Sequence, residues 1–125
     1  AALGRMPGAA SRAGAVEAML ELGNAADANA RAAGLLALGR LRRVVADGRV
    51  VPLLVHKIRH DPEWAVRRAA MDAAMRLDDV AVAGGALSAM QEAAENEADS
   101  FCRGTAASYV RGMASGMFAG ADSAE

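Results

Sequence analysis

The sequence predicts an all-α fold, a right-handed α-α superhelix of about three helix-turn-helix repeats. The first observation is a repeat of 36 residues, the spacing at which Arg31, Arg67 and Arg103 recur. The second is that the segments carrying these arginines align, with small or apolar residues three or four positions apart: NARAAGLLALGRL (29–41), AVRRAAMDAAMRL (65–77) and FCRGTAASYVRGM (101–113). Such spacing marks one face of an α-helix, and two helices per repeat of this length are typical of an α-solenoid.

A further helix precedes each aligned segment, because its apolar positions recur with the same period. They are Ala15/Val51/Leu87, Ala18/Leu54/Met90 and Leu22/Ile58/Ala94. We therefore predict a single domain over residues 1–125, with repeat 1 at 13–41, repeat 2 at 49–77 and repeat 3 at 86–113. Residues 1–12 are predicted to be an N-terminal cap or the end of a preceding repeat, and residues 114–125 a C-terminal tail.

The first helices of the three repeats are predicted at residues 13–22, 50–59 and 86–95. Pro7 interrupts any helix ahead of repeat 1, because proline cannot continue a helix. Asp27 or Asn29 can cap the second helix of repeat 1, since both side chains accept hydrogen bonds from the first turn.

Two glycines, Gly34 and Gly39, lie inside the predicted second helix of repeat 1. Each costs about 1 kcal/mol relative to alanine in a helix interior. Close approach of a neighbouring helix is the preferred explanation, with a ligand against the backbone as the alternative.

The middle repeat carries the most informative motif, DPEWAVRRAAMDAAMRL over residues 61–77. Pro52 opens its first helix, Asp61 closes the inter-helix turn, and Arg67 follows Asp61 near the start of the second helix. This pattern resembles the HEAT repeat, and most closely the short alanine-rich variety called the phycobilisome-lyase HEAT-like repeat. The resemblance covers roughly residues 13–113, and it implies helix-turn-helix units with an acid and an arginine at the turn.

The recurring arginines and the turn acids are predicted to form a structural ladder: Arg31, Arg67, Arg103, Asp61 and Glu97. Arg67 follows Asp61 by six residues, as Arg103 follows Glu97, so each arginine can bond an acid or free carbonyls at its turn. Repeat 1 departs from the pattern, because Ala25 stands where the acid should be. Partly buried charge-assisted bonds of this type stabilise by roughly 1.5–3 kcal/mol each.

The opposite face of the second helices is predicted to bind a partner, since the resemblance implies that this face lines a concave surface. It carries Trp64, Arg68, Met71, Asp72, Met75 and Arg76 from repeat 2, with Leu35, Leu36 and Arg40 beside them from repeat 1. Tryptophan and arginine are enriched among the residues that dominate interfaces, and methionine adapts to varied partners. The competing interpretation packs Trp64 over the adjacent turn and uses the methionines to fill gaps in an alanine-rich core.

Charge is distributed unevenly along the chain. Residues 31–76 hold ten Lys or Arg against four Asp or Glu, whereas residues 77–125 hold two against eight. Three interpretations follow: the charges solvate exposed helix faces, the basic segment meets an acidic surface of a partner protein, or copies associate head to tail. Nucleic acid is disfavoured as a partner by the net charge of −1 and the aromatic content of 3%.

No catalytic constellation, cofactor or metal site is predicted. His56 and His60 are four residues apart, a spacing that can bind a metal, but no third ligand is evident. Cys102 aligns with Ala30 and Val66, which predicts a buried small residue and not a nucleophile. A single cysteine cannot form an intrachain disulfide, and no apolar run is long enough for a membrane span, so we expect a cytoplasmic protein.

These observations predict a non-catalytic interaction or scaffold module that binds another protein, by itself or as part of a longer solenoid. Two alternatives stay open. The resemblance suggests an auxiliary subunit of a bilin lyase or a related chromophore-handling protein. The basic segment and Trp64 suggest a nucleic-acid-binding solenoid similar to the HEAT-like DNA glycosylases.

Overall fold

The computed structural model describes residues 8–40, 48–77 and 85–114. These ranges contain no strand and hold the helices α1 (Gly8–Gly23), α2 (Ala28–Arg40), α3 (Val50–His60), α4 (Trp64–Leu77), α5 (Ala86–Asn96) and α6 (Ser100–Ala114). The predicted all-α class is therefore confirmed. Our predictions for segment 1–7 and for the tail 115–125 lie outside the described residues.

The bounds of α2 to α6 lie within two residues of those predicted from the sequence. Helix α1 differs, because it begins at Gly8 and not at residue 13. Proline ends an upstream helix, but it is also favoured at the start of one, where its missing N–H would have no intrahelical partner. Pro7 was therefore compatible with a helix that starts immediately after it.

The helices pack as three antiparallel hairpins in two layers. Within the repeats α1 packs on α2, α3 on α4, and α5 on α6. Between repeats, first helices contact first helices and second helices contact second helices, as in the pairs α3 with α5 and α2 with α4. Within residues 8–40, 48–77 and 85–114 the main contacts between repeats join each repeat to the next, so the fold is a solenoid of helical hairpins, as the 36-residue period predicted.

Helix α4 lies at the centre of the core, in contact with α2, α3 and α6. Its buried side chains are mostly small: Val66, Ala69, Ala70, Met71, Ala73, Ala74 and Leu77. Small side chains let the helix axes approach closely, but each contact removes little apolar area from water. Since burial stabilises by about 25 cal/mol per Å² of apolar surface, each such contact contributes little to stability. Larger buried residues, among them Leu35, Leu54, Met90 and Tyr109, fill the remaining space between the layers.

Close approach of neighbouring helices explains both glycines of α2, as preferred in the sequence analysis. A Cβ atom on Gly34 would lie 2.6 Å from the Leu22 Cβ and 2.8 Å from the Gly23 nitrogen of α1. A Cβ atom on Gly39 would lie 2.6 Å from the Ala73 Cα of α4. Real side chains do not tolerate such distances, so these glycines set the separation of α2 from both of its neighbours.

In repeats 1 and 3 the start of the second helix is held by the residue before it. Asp27 Oδ2 accepts a hydrogen bond of 2.9 Å from the Ala30 N–H, and Asp99 Oδ2 accepts one of 2.9 Å from the Cys102 N–H. Of the two predicted caps for α2, Asp27 is thus the one in place. The equivalent residue in repeat 2 is Glu63, whose carboxylate makes no hydrogen bond within the described residues.

We expect Gly39→Ala to lower the free energy of unfolding by roughly 1–3 kcal/mol, because the new methyl group would overlap the Ala73 backbone. Gly104→Ala is the matched control: its Cβ would meet nothing within 4 Å, so it should raise stability by up to about 1 kcal/mol. Urea denaturation followed by circular dichroism measures both values. Equal stability of the two variants would contradict the close approach of α2 and α4.

We also expect Glu63→Asp to stabilise the protein by about 1 kcal/mol, because the shorter side chain can cap α4 as Asp27 and Asp99 cap their helices. Asp99→Ala should cost a similar amount and serves as the reciprocal control. Thermal unfolding at neutral pH measures both shifts. An unchanged or lower midpoint for Glu63→Asp would show that a capping bond is not missing in repeat 2.

Candidate partner-binding surface

Arg31 joins repeat 1 to repeat 2 and forms the first rung of the predicted ladder. Its Nε donates to Asp61 Oδ2 at 2.9 Å, and its Nη2 donates to Asp61 Oδ1 at 3.2 Å. Its Nη1 donates to the carbonyls of Ala25 and Ala26 at 3.0 and 2.9 Å. One guanidinium therefore ties the turn of its own repeat to the turn of the following repeat, in the two-point geometry that suits arginine and a carboxylate.

Arg67 repeats this arrangement between repeats 2 and 3. Its Nε and Nη2 donate to Glu97 Oε1 and Oε2 at 2.9 and 2.6 Å, and its Nη1 donates to the Asp61 carbonyl at 2.8 Å. From the sequence, an acid or a carbonyl six residues earlier is expected as the partner of Arg67. The carbonyl is there, whereas the carboxylate comes from 30 residues later in the chain.

The ladder acids also hold their own turns. Asp61 Oδ1 accepts the Glu63 N–H at 3.0 Å, and Glu97 Oε2 accepts the Asp99 N–H at 3.0 Å. Burial acts to raise the pKa of Asp61, but hydrogen bonds from Arg31 and the Glu63 backbone, with the nearby positive charges, outweigh it and lower that pKa below its ordinary value. The pKa of Glu97 is lowered by the same balance, with Arg67 as the partner.

Much of the positive charge of the basic segment is engaged by acids of adjacent repeats. Besides the two ladder pairs, Arg59 Nη2 lies 3.0 Å from Glu92 Oε2 on α5, and Arg49 Nη1 lies 2.8 Å from Glu17 Oε1 on α1. Two of these pairs, Arg67 with Glu97 and Arg59 with Glu92, join the basic segment 31–76 to the acidic segment 77–125, so part of the uneven charge is neutralised within the fold. On α2 and α4 the exposed cations beyond these pairs include Arg40 and Arg76.

The most prominent apolar feature of the described surface is an aromatic cluster formed by Trp64, Phe101 and Arg68. Trp64 is 45% exposed and Phe101 is 62% exposed. Their ring centroids lie 6.2 Å apart with an interplanar angle of 11°, and the Arg68 Cζ lies 5.1 Å from the Phe101 centroid. The stacked rings and the cation hold one another in place, so the cluster presents a preorganised face across α4 and α6.

The predicted partner-binding residues divide between this surface and the core. Trp64 and Arg68 meet in the aromatic cluster, Arg40 and Arg76 are exposed, and the half-buried residues are Leu36, Asp72 and Met75. Met71 and the adjacent Leu35 are 0% exposed, so the expectation that they face a partner is wrong. Three helices cover α4, which leaves only a narrow strip open, and for Met71 the competing core interpretation is correct.

Phe101 is a surface residue that was not predicted from the sequence. It is aligned with Asn29 and Ala65, both of which are exposed. A large aromatic residue at a position that is polar or small in the other repeats was the signal that could have identified it. Its contact with Trp64 joins residues of two different repeats, so no single-helix pattern contained it.

Cys102 is buried, as its alignment with Ala30 and Val66 predicted. Its Sγ donates to the Trp64 carbonyl at 3.3 Å. Burial, with the neighbouring carboxylates of Glu97 and Asp99, raises the pKa of this thiol to about 11. The thiol is therefore protonated at neutral pH and supplies no thiolate nucleophile.

Neither the histidine pair of α3 nor the charged groove between repeats 2 and 3 forms a metal or catalytic site among the described residues. The His56 and His60 rings lie 4.9 Å apart on α3, but the described residues contain no group of three or more potential metal ligands. A groove of about 360 Å³ between repeats 2 and 3 is lined by Asp61, Arg67, Glu92 and Glu97, all of which are in ion pairs. Among the described helices none is long and apolar enough to cross a membrane.

The family model for HEAT repeats matches residues 16–111, which includes parts of all three hairpins. Comparison with curated proteins and with solved structures gives no match.

We expect the ladder to make the free energy of unfolding depend on pH in the acidic range. The folded pKa values of Asp61 and Glu97 lie below their ordinary values, so their stabilising contribution is complete above about pH 4.5 and is lost as the pH falls further. Asp61→Asn should lower the free energy of unfolding at pH 7 by about 2–3 kcal/mol and flatten its fall between roughly pH 4.5 and pH 2.

Glu92→Gln is the control for this measurement, because Glu92 pairs with Arg59 at an exposed position. It should change stability at pH 7 only slightly. Urea titrations at a series of pH values compare the variants. If Glu92→Gln lowered the free energy of unfolding as much as Asp61→Asn does, the buried ladder carboxylate would contribute no more to stability than an exposed ion pair.

Proposed function

This chain belongs to the HEAT-repeat family, and we propose that it is a non-catalytic module that binds a partner protein through the aromatic cluster on its second helices. HEAT repeats generally mediate protein-protein interaction, and the family is typically non-catalytic. The single observation that carries the proposal is the stack of Trp64 on Phe101, with Arg68 over the phenylalanine ring.

Exposure of two adjacent aromatic rings to water is unfavourable, and contiguous apolar patches of this kind on soluble proteins often mark interaction sites. Both rings leave apolar area open, yet their mutual stacking restricts their rotamers before any partner arrives. A partner that covers the rings removes this apolar area from water, which favours binding. The loss of side-chain entropy on binding is smaller than it would be for mobile rings. Aromatic and arginine side chains also dominate measured hot spots, which supports this cluster as the anchor of an interface.

Exposed cations of the second helices favour an acidic partner surface. Arg68 lies beside Phe101. Arg40 and Arg76 are exposed at the C-terminal ends of α2 and α4, and Arg76 is about 18 Å from Trp64 along α4. We propose that an apolar side chain of the partner covers the rings while its carboxylates face these arginines. The half-buried Leu36 and Met75 can extend the contact, and the carboxylate of Asp72 would disfavour an acidic group placed directly over it.

An auxiliary role in attaching a chromophore is one alternative to this proposal. The likeness of repeat 2 to the phycobilisome-lyase HEAT-like repeat favours an auxiliary role in chromophore attachment, in which the partner is a pigment-carrying protein. A colourless preparation from pigment-producing cells would count against that role. Nucleic acid is the other alternative, because a base can stack on exposed rings, and its binding would weaken steeply with salt.

The decisive experiment is capture of partners from the source cells with the whole chain as bait, followed by mass spectrometry. The test bait carries Trp64→Ala and Phe101→Ala. The matched control is Leu22→Ala, which removes another exposed apolar side chain, 43% exposed, from helix α1 in the other layer. Circular dichroism verifies that each bait is folded.

We expect one protein to be retained by the wild type and by Leu22→Ala but lost from the double variant. Titration of that purified protein should show binding weakened by at least about thirtyfold in the double variant, the size of a hot-spot loss. Retention of the same protein by the double variant would overturn the site. Recovery of pigment or nucleic acid alone would replace the proposal with the corresponding alternative.

A further inference from the structure

We infer that the groove between repeats 2 and 3 binds a primary alkylammonium group, the group that ends a lysine side chain. The groove has a volume of about 360 Å³ and lies beside the inter-helix turns of the two repeats. Its lining includes Ala89, Ala93 and Glu97. The junction of repeats 1 and 2, which lies 36 residues earlier in the sequence, shows which side chains this groove lacks.

At the first junction, Leu53 and Lys57 occupy the corresponding space. Leu53 Cδ2 lies against α1, 3.1 Å from the position that a Cβ atom on Gly23 would take. Lys57 Nζ lies 3.8 Å from Asp61 Oδ2, and the Lys57 side chain is only 12% exposed. An aliphatic side chain and a primary ammonium group therefore lie beside the ladder carboxylate of repeat 2.

At the second junction, both of these side chains are replaced by alanine. Ala89 is aligned with Leu53 and Ala93 with Lys57, and both alanines line the groove. An alanine side chain ends at its methyl group, so the space that the longer side chains take up one repeat earlier is open here. The groove therefore has the shape for an alkyl chain and lies beside a carboxylate that can receive its charged end.

The Glu97 carboxylate has an oxygen that can accept the ammonium group. Asp61 Oδ2 accepts from Arg31 Nε and also lies near Lys57 Nζ. Glu97 Oε1 corresponds to that oxygen, because it accepts from Arg67 Nε at 2.9 Å, and within the described residues it accepts no second hydrogen bond. The other oxygen, Oε2, accepts two. Since a carboxylate oxygen has two lone pairs, Oε1 retains acceptor capacity.

The charges at the groove favour one more cation. Two cations contact Asp61 at the first junction, whereas Arg67 is the only cation paired with Glu97 among the described residues. The other ion pair at the groove, Arg59 with Glu92, is balanced. The C-terminal ends of α3 and α5 lie at the groove, and their free carbonyls carry the negative ends of the helix dipoles.

The ammonium group comes from outside these 125 residues. Lys57 is the only lysine in the sequence, and it is already in place at the first junction. The groove lies between two repeats that are stacked on each other, so a preceding or following repeat would not cover it. A lysine side chain of another protein and a free aliphatic amine share the chemistry that fits the groove.

The test is a titration of the isotopically labelled whole chain, followed through the amide NMR signals of residues 58–61 and 92–98. One probe is n-butylamine, which is charged at neutral pH, and n-butanol is its uncharged control. The other probe is a short glycine-flanked lysine peptide with blocked ends, and its control carries an acetylated lysine. We expect saturable shifts at these residues for the charged probes and binding weaker by about tenfold or more for the uncharged ones. Tighter binding of the peptide would identify a protein lysine as the source, and tighter binding of butylamine a free amine.

Ala93→Lys is the test variant, because it places in repeat 3 the residue that repeat 2 has at the aligned position. It should weaken butylamine binding by about tenfold or more, since its own ammonium group would take the place at Glu97. Ala89→Leu, the corresponding change at the position of Leu53, narrows the groove without a charge and should also weaken binding. Lys57→Ala is the matched control, because it alters only the first junction and should leave the titration of residues 92–98 unchanged.

Circular dichroism verifies that each variant is folded. Equal shifts with n-butanol, undiminished butylamine binding by Ala93→Lys and Ala89→Leu, or no saturable binding of either charged probe would each overturn the inference. Trp64 and Phe101 do not line this groove, so failure of the titration leaves the proposed function standing. Failure of the capture experiment likewise leaves the groove unaffected.

Discussion

The paired contact between an arginine of one repeat and a carboxylate of the next determines how the hairpins of this protein stack. Asp61 is 5% exposed, and a carboxylate at that depth is costly unless it is fully bonded. Arg31 bonds both of its oxygens, and the Glu63 N–H bonds one of them. These bonds are directional, so the turn of repeat 2 has a defined position relative to the turn of repeat 1.

Such directional contacts matter because the alanine-rich core discriminates weakly between alternative packings. Alanine faces are smooth and bury little area, so helices lined by them could slide or rotate at modest cost. The glycines of α2 add a second constraint, since the positions of Gly34 and Gly39 admit a neighbouring backbone at one place only. Charge pairs at the turns and glycines along the helices together specify a stacking that the apolar contacts alone would leave loose.

The surface that we propose for partner binding is small, because few large apolar side chains are exposed on the described residues. With three helices around α4, its open strip is narrow, and a partner needs protruding groups to make contact. Trp64 and Phe101 provide them, one from each of two successive repeats. The proposed binding surface therefore requires repeats 2 and 3 to be correctly stacked, and we expect binding to depend on the ladder pair of Arg67 and Glu97.

The sequence by itself determined helices α2 to α6, their period and the buried state of Cys102, because these follow from local spacing that recurs every 36 residues. For Gly34 and Gly39 it left a ligand as an alternative, which the contacts with α1 and α4 removed. The tertiary structure alone decided that the ladder carboxylate comes from the next repeat, that Met71 is covered, and that Phe101 meets Trp64. Each of these depends on the angle at which one hairpin lies on another. That angle is set by contacts between residues some 30 or more positions apart, which the periodicity of a single helix does not encode.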